Sequence, residues 1–205
     1  MPLISSALHI YQAAMPMVGA NVPDSMDAQT PESLAANATY EIFVAEALSR
    51  HAWSWATKTV LLTYTGETAS YPRYSYSLPA DILSVRGAML VGRPFRDFKL
   101  RRGLFLCDLQ DSSSVELVYN WRAPESEWPA DFVDAMVDRL ASKLATGLLD
   151  RPEQGESLDR KAEFKLRKAI RRDRRQYPGE DPFKSTKLTR AWQGSSSDWR
   201  RGSSS

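Results

Sequence analysis

Apolar residues recur every three or four positions near both ends of the chain, whereas the middle is rich in β-branched and aromatic residues. The first pattern is typical of helices that bury one face, and the second is typical of strands. The first helix is predicted over residues 3–18. Its stripe consists of Leu8, Tyr11, Met15 and Val18.

A second helix is predicted to begin at Thr30, because threonine is a good cap and Pro31 suits the first turn. It continues in this interpretation as far as the tryptophans at positions 53 and 55. Its apolar positions are Leu34, Ala38, Phe43, Ala47 and Leu48.

From Lys58 onward the pattern changes to that of strands, and glycines and serines separate the runs. The short spacing between runs predicts small antiparallel hairpins that pack as a compact sheet or half-barrel. The predicted strands cover residues 59–65, 73–77, 83–91, 95–100, 103–108 and 114–121.

Two more helices follow the strands. The first, over residues 129–149, has Pro129 in its first turn and an apolar stripe at every fourth position. That stripe consists of Phe132, Met136, Leu140, Leu144 and Leu148. The last helix is predicted over residues 156–177, after a break at residues 151–155. Residues 178–205 are too polar and too rich in proline, glycine and serine to form a core.

The predicted fold class is therefore α+β, with a helical scaffold of about four helices that is interrupted by a small antiparallel β-rich insert. The scaffold comprises residues 1–57 and 128–177. The insert comprises residues 58–127. An extended C-terminal arm, residues 178–205, completes the chain.

Composition narrows the class of protein. The single cysteine, Cys107, excludes an intrachain disulfide framework and lies in a strand pattern, where it is predicted to be a small core residue. No apolar run approaches the roughly 18 residues of a membrane span, so no membrane contact is predicted. The net charge of +2 conceals a basic stretch, because residues 160–175 alone carry nine lysines and arginines against two carboxylates.

The sequence contains no convincing catalytic constellation. His9 and His51 have no cysteine or carboxylate at ligand spacing, so a structural or exposed role, no metal and no cofactor are predicted. Asp131, Asp134 and Asp138 are interpreted as a solvated helix face. A catalytic pair that only folding brings together stays open, and a close histidine–carboxylate pair or a metal-ligand cluster would be its sign.

The basic helix has two interpretations. It is either a solvated face, because lysine and arginine are good helix formers, or a surface that contacts phosphates or an acidic protein. Several of its cations are spaced three or four residues apart and are therefore predicted to share one broad face of the helix. Without a base-reading motif, any DNA contact would be independent of sequence. The candidate contact residues are Lys161, Lys165, Lys168, Arg171, Arg172 and Arg175.

Aromatic residues punctuate the polar C-terminal arm. Tryptophan and arginine are typical anchors of protein interfaces, and exposed tryptophan is unfavourable without a partner. The arm is therefore predicted to dock on a neighbouring protein. Its candidate anchors are Leu188, Arg190, Trp192 and Trp199.

Four landmark segments occur in a fixed order. They are Trp53-Ser-Trp-Ala-Thr-Lys58, Tyr74-Ser-Tyr-Ser-Leu-Pro-Ala-Asp81, Leu117-Val-Tyr-Asn-Trp-Arg122 and Trp128-Pro-Ala-Asp-Phe-Val-Asp-Ala135. With the preceding helix pair, this series resembles phage head-to-tail adaptor proteins of the tail tubular protein A, or gatekeeper, type of short-tailed phages. The resemblance covers about residues 3–177.

The resemblance implies a virion protein with no enzymatic activity. Such a protein forms a homo-oligomeric ring, commonly a dodecamer, beneath the portal protein at the head–tail junction, and it assembles in the bacterial cytoplasm. The ring joins the portal to tail tube or nozzle proteins, and double-stranded DNA passes through its channel with transient, non-specific contact. The alternatives are a sequence-independent nucleic-acid-binding protein that uses residues 160–175 and another minor tail or capsid protein.

Overall fold

A computed structural model describes residues 6–27, 29–68, 71–109 and 115–176, and its elements are those of an α+β protein. The helices are α1 (Ala7–Val18), α2 (Pro31–Ser49), α3 (Ala130–Gly147) and α4 (Pro152–Gln176). The strands, β1 to β8 in chain order, are Thr57–Leu61, Thr63–Glu67, Tyr74–Ser77, Ile82–Leu90, Arg93–Phe95, Phe98–Arg101, Leu104–Cys107 and Val115–Trp121. The predicted fold class is confirmed.

Helix α3 lies at the centre of the helical part. Its predicted stripe is buried from Phe132 to Leu144, and alanines on its other sides, such as Ala135 and Ala141, are buried as well. Helix α4 packs along α3, while α1 and α2 contact α3 from other sides. None of the helices in the described ranges combines the length and apolar character that crossing a membrane requires.

Gly155 allows α4 to approach α3 closely. The Ser142 hydroxyl on α3 donates a hydrogen bond of 2.8 Å to the Gly155 carbonyl oxygen. A Cβ atom at this position would overlap the Thr146 hydroxyl and lie 3.2 Å from the Ser142 carbonyl oxygen. The contact between these two helices therefore depends on a residue with no side chain.

Gly155→Leu is expected to lower the free energy of unfolding by about 2–3 kcal/mol, because the added side chain overpacks the contact between α3 and α4. Urea unfolding measures the change. Gly147→Leu is the matched control, since a Cβ at Gly147 meets no atom within 4 Å. Equal losses in the two variants would contradict close packing at Gly155.

The eight strands form two antiparallel sheets with the orders β1-β8-β4-β5 and β2-β3-β7-β6. The chain passes from one sheet to the other at both edges, between β1 and β2 and between β5 and β6. Tyr76, Phe105 and Cys107 of the second sheet pack with Val115 and Leu117 of the first. The strands thus have a core of their own, in which Cys107 is buried as predicted and burial raises the pKa of its thiol.

Two predicted strands are wrong, because each is divided between the two sheets. The run 59–65 breaks at Leu62, which lies between β1 and β2, and the run 95–100 breaks after Phe95. Composition marks such a run as extended but does not indicate where it changes sheets. The strands predicted at 73–77, 83–91, 103–108 and 114–121 are confirmed to within two residues. The strands form two sheets of four, where one compact sheet or half-barrel was predicted.

Helix α2 begins as predicted but ends earlier, and its predicted apolar stripe is confirmed at Phe43, Ala47 and Leu48 only. Thr30 Oγ1 accepts a hydrogen bond from the Ser33 backbone N–H at 3.2 Å. The helix ends at Ser49, and a short 3₁₀ turn at Ser54–Ala56 contains the second tryptophan. Leu34 and Ala38, which were predicted to be core positions, are exposed. The core contacts of α2 come from Ala36, Tyr40, Phe43, Val44, Ala47 and Leu48.

Helix α4 begins at Pro152, four residues earlier than predicted. The prediction treated the proline as part of a break, whereas proline fits the first turn of a helix because that turn needs no backbone N–H donor there. The helix ends at Gln176, next to the predicted end. Its buried positions lie on one side of the helix.

Candidate functional site

The outward face of α4 carries a line of cations around one exposed aromatic residue. Ser157, Lys161, Phe164, Lys168 and Arg171 follow one another at steps of three or four residues and are all exposed. Arg175 continues the line. Phe164 is 70% exposed, which is unusual for a phenylalanine on a packed helix. We call these residues from Lys161 to Arg175 the α4 face.

Four of the six predicted contact cations belong to the α4 face and have no hydrogen-bonding or ionic partner among the described residues. They are Lys161, Lys168, Arg171 and Arg175. Because their charges are not neutralised within this part of the chain, they generate a positive potential toward solvent. They therefore suit a phosphate backbone or an acidic protein surface.

The other two predicted cations, Lys165 and Arg172, turn toward α3 instead. Lys165 Nζ lies 2.9 Å from Asp134 Oδ1 and 2.7 Å from Asp138 Oδ2, and Arg172 Nη1 lies 2.9 Å from Asp131 Oδ2. Burial acts against the charge on Lys165, but these carboxylates outweigh it and raise the pKa of the lysine. Five cations, Arg171 not among them, were predicted to share one broad face, and that prediction is wrong for Lys165 and Arg172.

The aspartates of α3 are the acidic side of this contact. Asp138 is buried at 2% exposure, so the interpretation of the three aspartates as a solvated face is wrong for this residue. Its interior position is compatible with a charge because Lys165 lies against it. The described residues hold no cluster of three or more histidine, cysteine or carboxylate side chains that could bind a metal ion.

An open groove of about 620 Å³ runs between α3 and α4 on this side of the molecule. Phe164 and the stems of its lysine neighbours form its apolar wall, and charged groups line its rim. The residues that line it are Asp131, Asp134, Ser157, Arg160, Lys161, Phe164, Lys165 and Lys168. An open, charged groove is better suited to a macromolecule than to a small ligand, which needs an enclosed cavity.

The four landmark segments meet at the junction between the helical part and the strands. The ring of Phe132 lies with its centroid 5.0 Å from each of the rings of Trp53, Trp55 and Trp128. These residues come from two of the four segments, the first and the fourth. Edge-to-face contacts of this kind stabilise a core beyond the area that they bury.

Residues of the first, second and third landmark segments meet in a polar contact. Lys58 Nζ lies 2.9 Å from Asp81 Oδ2 and 3.3 Å from the centroid of the Trp121 ring. The Tyr119 hydroxyl donates to Asp81 at 2.9 Å. The hydrogen bond from Lys58 holds the pKa of Asp81 below its usual range, while burial and the Asp81 carboxylate raise the pKa of Tyr119 to about 12.

Two strand side chains, Asn120 of β8 and Arg86 of β4, cap the C-terminal end of α2. Asn120 Nδ2 donates to the carbonyl oxygens of Leu48 at 2.6 Å and of His51 at 2.7 Å. Arg86 donates to the Ser49 carbonyl oxygen at 3.3 Å and to Asn120 Oδ1 at 3.0 Å. The last carbonyls of a helix lack partners within the helix, so these bonds fix the strands to α2.

A buried histidine–carboxylate pair joins the end of α2 to α4. His51 Nε2 lies 2.8 Å from Asp173 Oδ2, and both residues are 8% exposed. The Ser54 hydroxyl donates to Asp173 Oδ1 at 2.7 Å, so the serine bonds to the carboxylate and not to the imidazole. A nucleophilic serine needs the reverse arrangement, with the base on the hydroxyl. The geometry is that of a structural clasp.

The contribution of this clasp to stability depends on the ionised carboxylate of Asp173. Burial disfavours the charge of Asp173, but the hydrogen bonds from His51 and Ser54 outweigh burial and hold the pKa of the carboxyl below its usual range. A folded-state pKa below the unfolded value stabilises the fold at pH values above about 4. This contribution is lost as the pH falls through the folded-state pKa.

Asp173→Asn is expected to lower the free energy of unfolding by about 2 kcal/mol at neutral pH, because charge-assisted hydrogen bonds are lost. The difference between the unmodified protein and the variant is expected to shrink below about pH 4, where the carboxylate of the unmodified protein becomes protonated. Urea unfolding over a pH series measures both effects. Asp27→Asn, at an exposed position, is the control. A difference that stays constant down to acidic pH would contradict the clasp.

The sequence analysis missed the polar residues of the junction. Asp173 and His51 are separated by 122 positions, and Asn120 is 69 positions from His51, so no spacing rule connects them. Asn120 offered one signal, since a polar residue in an otherwise apolar run indicates a buried polar partner. His9, the other candidate, is exposed on α1.

The predicted anchors Leu188, Arg190, Trp192 and Trp199 lie outside the described residues, as does the arm to which they belong. Comparison of the chain with models of known protein families and with curated proteins gave no match.

Proposed function

We propose that this protein is a structural adaptor, without enzymatic activity, that forms a ring at the head–tail junction of a tailed phage. The observation that supports the proposal most is the convergence of the landmark segments. The segments that resemble head-to-tail adaptors, around Trp53, Asp81, Trp121 and Phe132, lie together at one junction. They hold a β unit on a helical body, which suits a protein that must contact two different assemblies at once.

In this proposal the helical part builds the ring, and the strands face the tail tube or nozzle. The portal protein binds the other side, and double-stranded DNA passes through the central channel. A ring needs one surface patch of each subunit to fit a different patch of the next subunit. The α4 face is a candidate for one such patch, because its cations have no partner among the described residues and Phe164 is exposed.

Heads and tails of a phage that lacks this protein provide the test. Purified DNA-filled heads and purified tails are mixed with or without the protein, and infectious particles are counted. The proposal predicts that particles form only when the protein is present. Joining at an equal rate in its absence would refute the adaptor function.

The C-terminal arm is proposed to bind the portal or a neighbouring subunit through its tryptophans. Trp192→Ala combined with Trp199→Ala is expected to reduce head–tail joining by about tenfold or more, because such anchors carry most of the affinity of an interface. The joining assay measures the loss. Trp55→Phe, at the junction, is not part of the arm and is expected to leave joining unchanged. Unchanged joining in the double variant would show that these tryptophans are not anchors.

Sequence-independent DNA binding is the second candidate, and the unpaired cations of the α4 face favour it. It predicts that the isolated protein binds double-stranded DNA at low salt. With four phosphate contacts, log K would fall with log salt at a slope of roughly −3.6. Fluorescence anisotropy with a labelled duplex separates the candidates, since the adaptor proposal predicts weak binding. Another minor tail or capsid protein would neither bind DNA in this way nor require a ring.

A further inference from the structure

A second exposed apolar surface lies on helix α2. Leu34 is 51% exposed and Ile42 is 71% exposed, and Ala38 lies exposed between them. The three residues are spaced by four, so they form one continuous line on the helix. We call this line the α2 face. No side chain of the described ranges covers it, although Ile42 has the character of a core residue.

The surroundings of the α2 face are acidic. The first 49 residues of the chain contain five carboxylates and neither lysine nor arginine. Glu41 and Glu46 form ion pairs with arginines, whereas Asp24, Asp27 and Glu32 have no cationic partner among the described residues. Asp24 and Asp27 lie in the segment before α2, and Glu32 lies in its first turn, two residues before Leu34. The α2 face is thus apolar with unneutralised negative charge at its N-terminal end.

The α4 face has the opposite charge and a comparable apolar centre. Phe164 protrudes between Lys161 and Lys168, and Arg171 and Arg175 continue the positive line. Both faces are exposed lines along helices that pack against α3. Each face therefore has an apolar centre, and the charges around the two centres are opposite in sign.

We propose that the α4 face of one subunit binds the α2 face of a second copy of this chain. Phe164 packs against Ile42 and Leu34 of the second copy, and the lysines and arginines approach its carboxylates. Pairing of two α4 faces would bring like charges together, and pairing of two α2 faces would do the same. Complementary charge therefore favours a head-to-tail contact over a two-fold symmetric one.

A head-to-tail contact leaves one face of each kind free at the ends, so it repeats until the assembly closes as a ring or continues as a filament. The inference deepens the proposed function and rests on it for the closure of the ring. It assigns the surfaces by which neighbouring subunits meet, and it gives the unpaired cations a protein partner in place of DNA.

Cysteine cross-linking of the full-length chain tests the contact. Ile42→Cys and Phe164→Cys are made separately, mixed at low salt and oxidised, and the products are separated without reducing agent. A disulfide requires Cα atoms within about 7 Å, so it reports direct apposition of the two helices. Cys107 is fully buried, and the unmodified chain therefore serves as the background control. Val91→Cys, at a residue that is 82% exposed in a strand turn, is the matched control for surface cysteines.

The proposal predicts a cross-linked dimer in the mixture of the two variants and none with either variant alone. A chain that carries both substitutions is expected to give a ladder of oligomers. Lys161→Glu combined with Lys168→Glu is expected to reduce cross-linking by about tenfold or more, because like charges then face each other. High salt is expected to reduce it as well.

Homodimers of either single variant would overturn the proposal in favour of a symmetric contact. Absence of cross-linking in every mixture would overturn it too. Maleimide labelling of Ile42→Cys tests a different occupant. Labelling that is blocked until Trp192 and Trp199 are replaced by alanine would show that the chain's own arm covers the α2 face, and it would overturn the proposal as well. A ring-sized complex with the portal, found together with absent cross-links, would remove this contact but leave the adaptor function standing.

Discussion

Phe132→Ala is expected to lower the free energy of unfolding by about 3–5 kcal/mol, the largest effect of any single substitution considered. Phe132 is fully buried, and its ring contacts three tryptophan rings, of which Trp53 and Trp55 belong to one segment and Trp128 to another. Removing it leaves a cavity that the surrounding large rings cannot fill without moving the backbone. Chemical unfolding followed by tryptophan fluorescence measures the loss, since the reporters are the neighbours themselves.

Phe164→Ala is the matched control for this prediction. The chemical change is the same, but Phe164 is 70% exposed on α4. Its replacement is expected to change the free energy of unfolding by no more than about 0.5 kcal/mol in dilute protein. Similar losses in the two variants would contradict the account of the junction core. A loss at Phe164 that grows with protein concentration would instead report contact between subunits.

Asn120→Ala is expected to lower the free energy of unfolding by about 3 kcal/mol, because it leaves several buried polar groups without partners. The fully buried side chain donates to the Leu48 and His51 carbonyl oxygens and accepts a hydrogen bond from Arg86. Each buried group without a partner costs roughly 1–3 kcal/mol, and new water contacts recover part of this. Urea unfolding measures the total.

Hydrogen exchange locates the effect of the same substitution. If Asn120 fixes the strands to α2, backbone amides at the end of α2 and in β1 are expected to exchange faster in the variant, whereas amides in the centre of α3 change little. Asn21→Ala is the control, because its exposed side chain makes one long hydrogen bond of 3.3 Å to Glu32. Uniformly faster exchange in all elements would contradict a specific role at this junction.

The sequence predicted best those elements whose pattern repeats over several turns. The stripe of α3 is regular from Phe132 to Leu144, and its burial follows from that regularity. The stripe of α2 was predicted correctly at Phe43, Ala47 and Leu48 but wrongly at Leu34 and Ala38, because the first half of the helix turns the small residue Ala36 toward the core. Leu34 was therefore counted as core, although it is half exposed.

The sequence pattern could not predict where the chain changes sheets or which way the charged side chains point, and the reason is physical. Leu62 lies in a run that favours extended backbone throughout, and only the packing of one sheet on the other decides where the run bends. Lys165 and Lys168 look alike in sequence. They differ because aspartates of α3 lie beside Lys165, which is a property of how the two helices meet.

The candidate site was predicted in part. Spacing placed Lys161, Lys168, Arg171 and Arg175 on the same helix, and the structure leaves these four without partners among the described residues. The clasp between His51 and Asp173 was not predicted, because the two residues lie on different elements that meet only in the fold. Contacts between distant segments carry no local signal in one sequence.

The measurement that tests the central claim most directly is the mass of the purified protein, alone and after mixing with the portal protein of the same phage, by native mass spectrometry. The adaptor account predicts a complex in which many copies of this chain join the portal as one closed species. A chain that remains monomeric in the presence of the portal and binds duplex DNA at low salt would contradict the account. It would indicate that the α4 face binds nucleic acid.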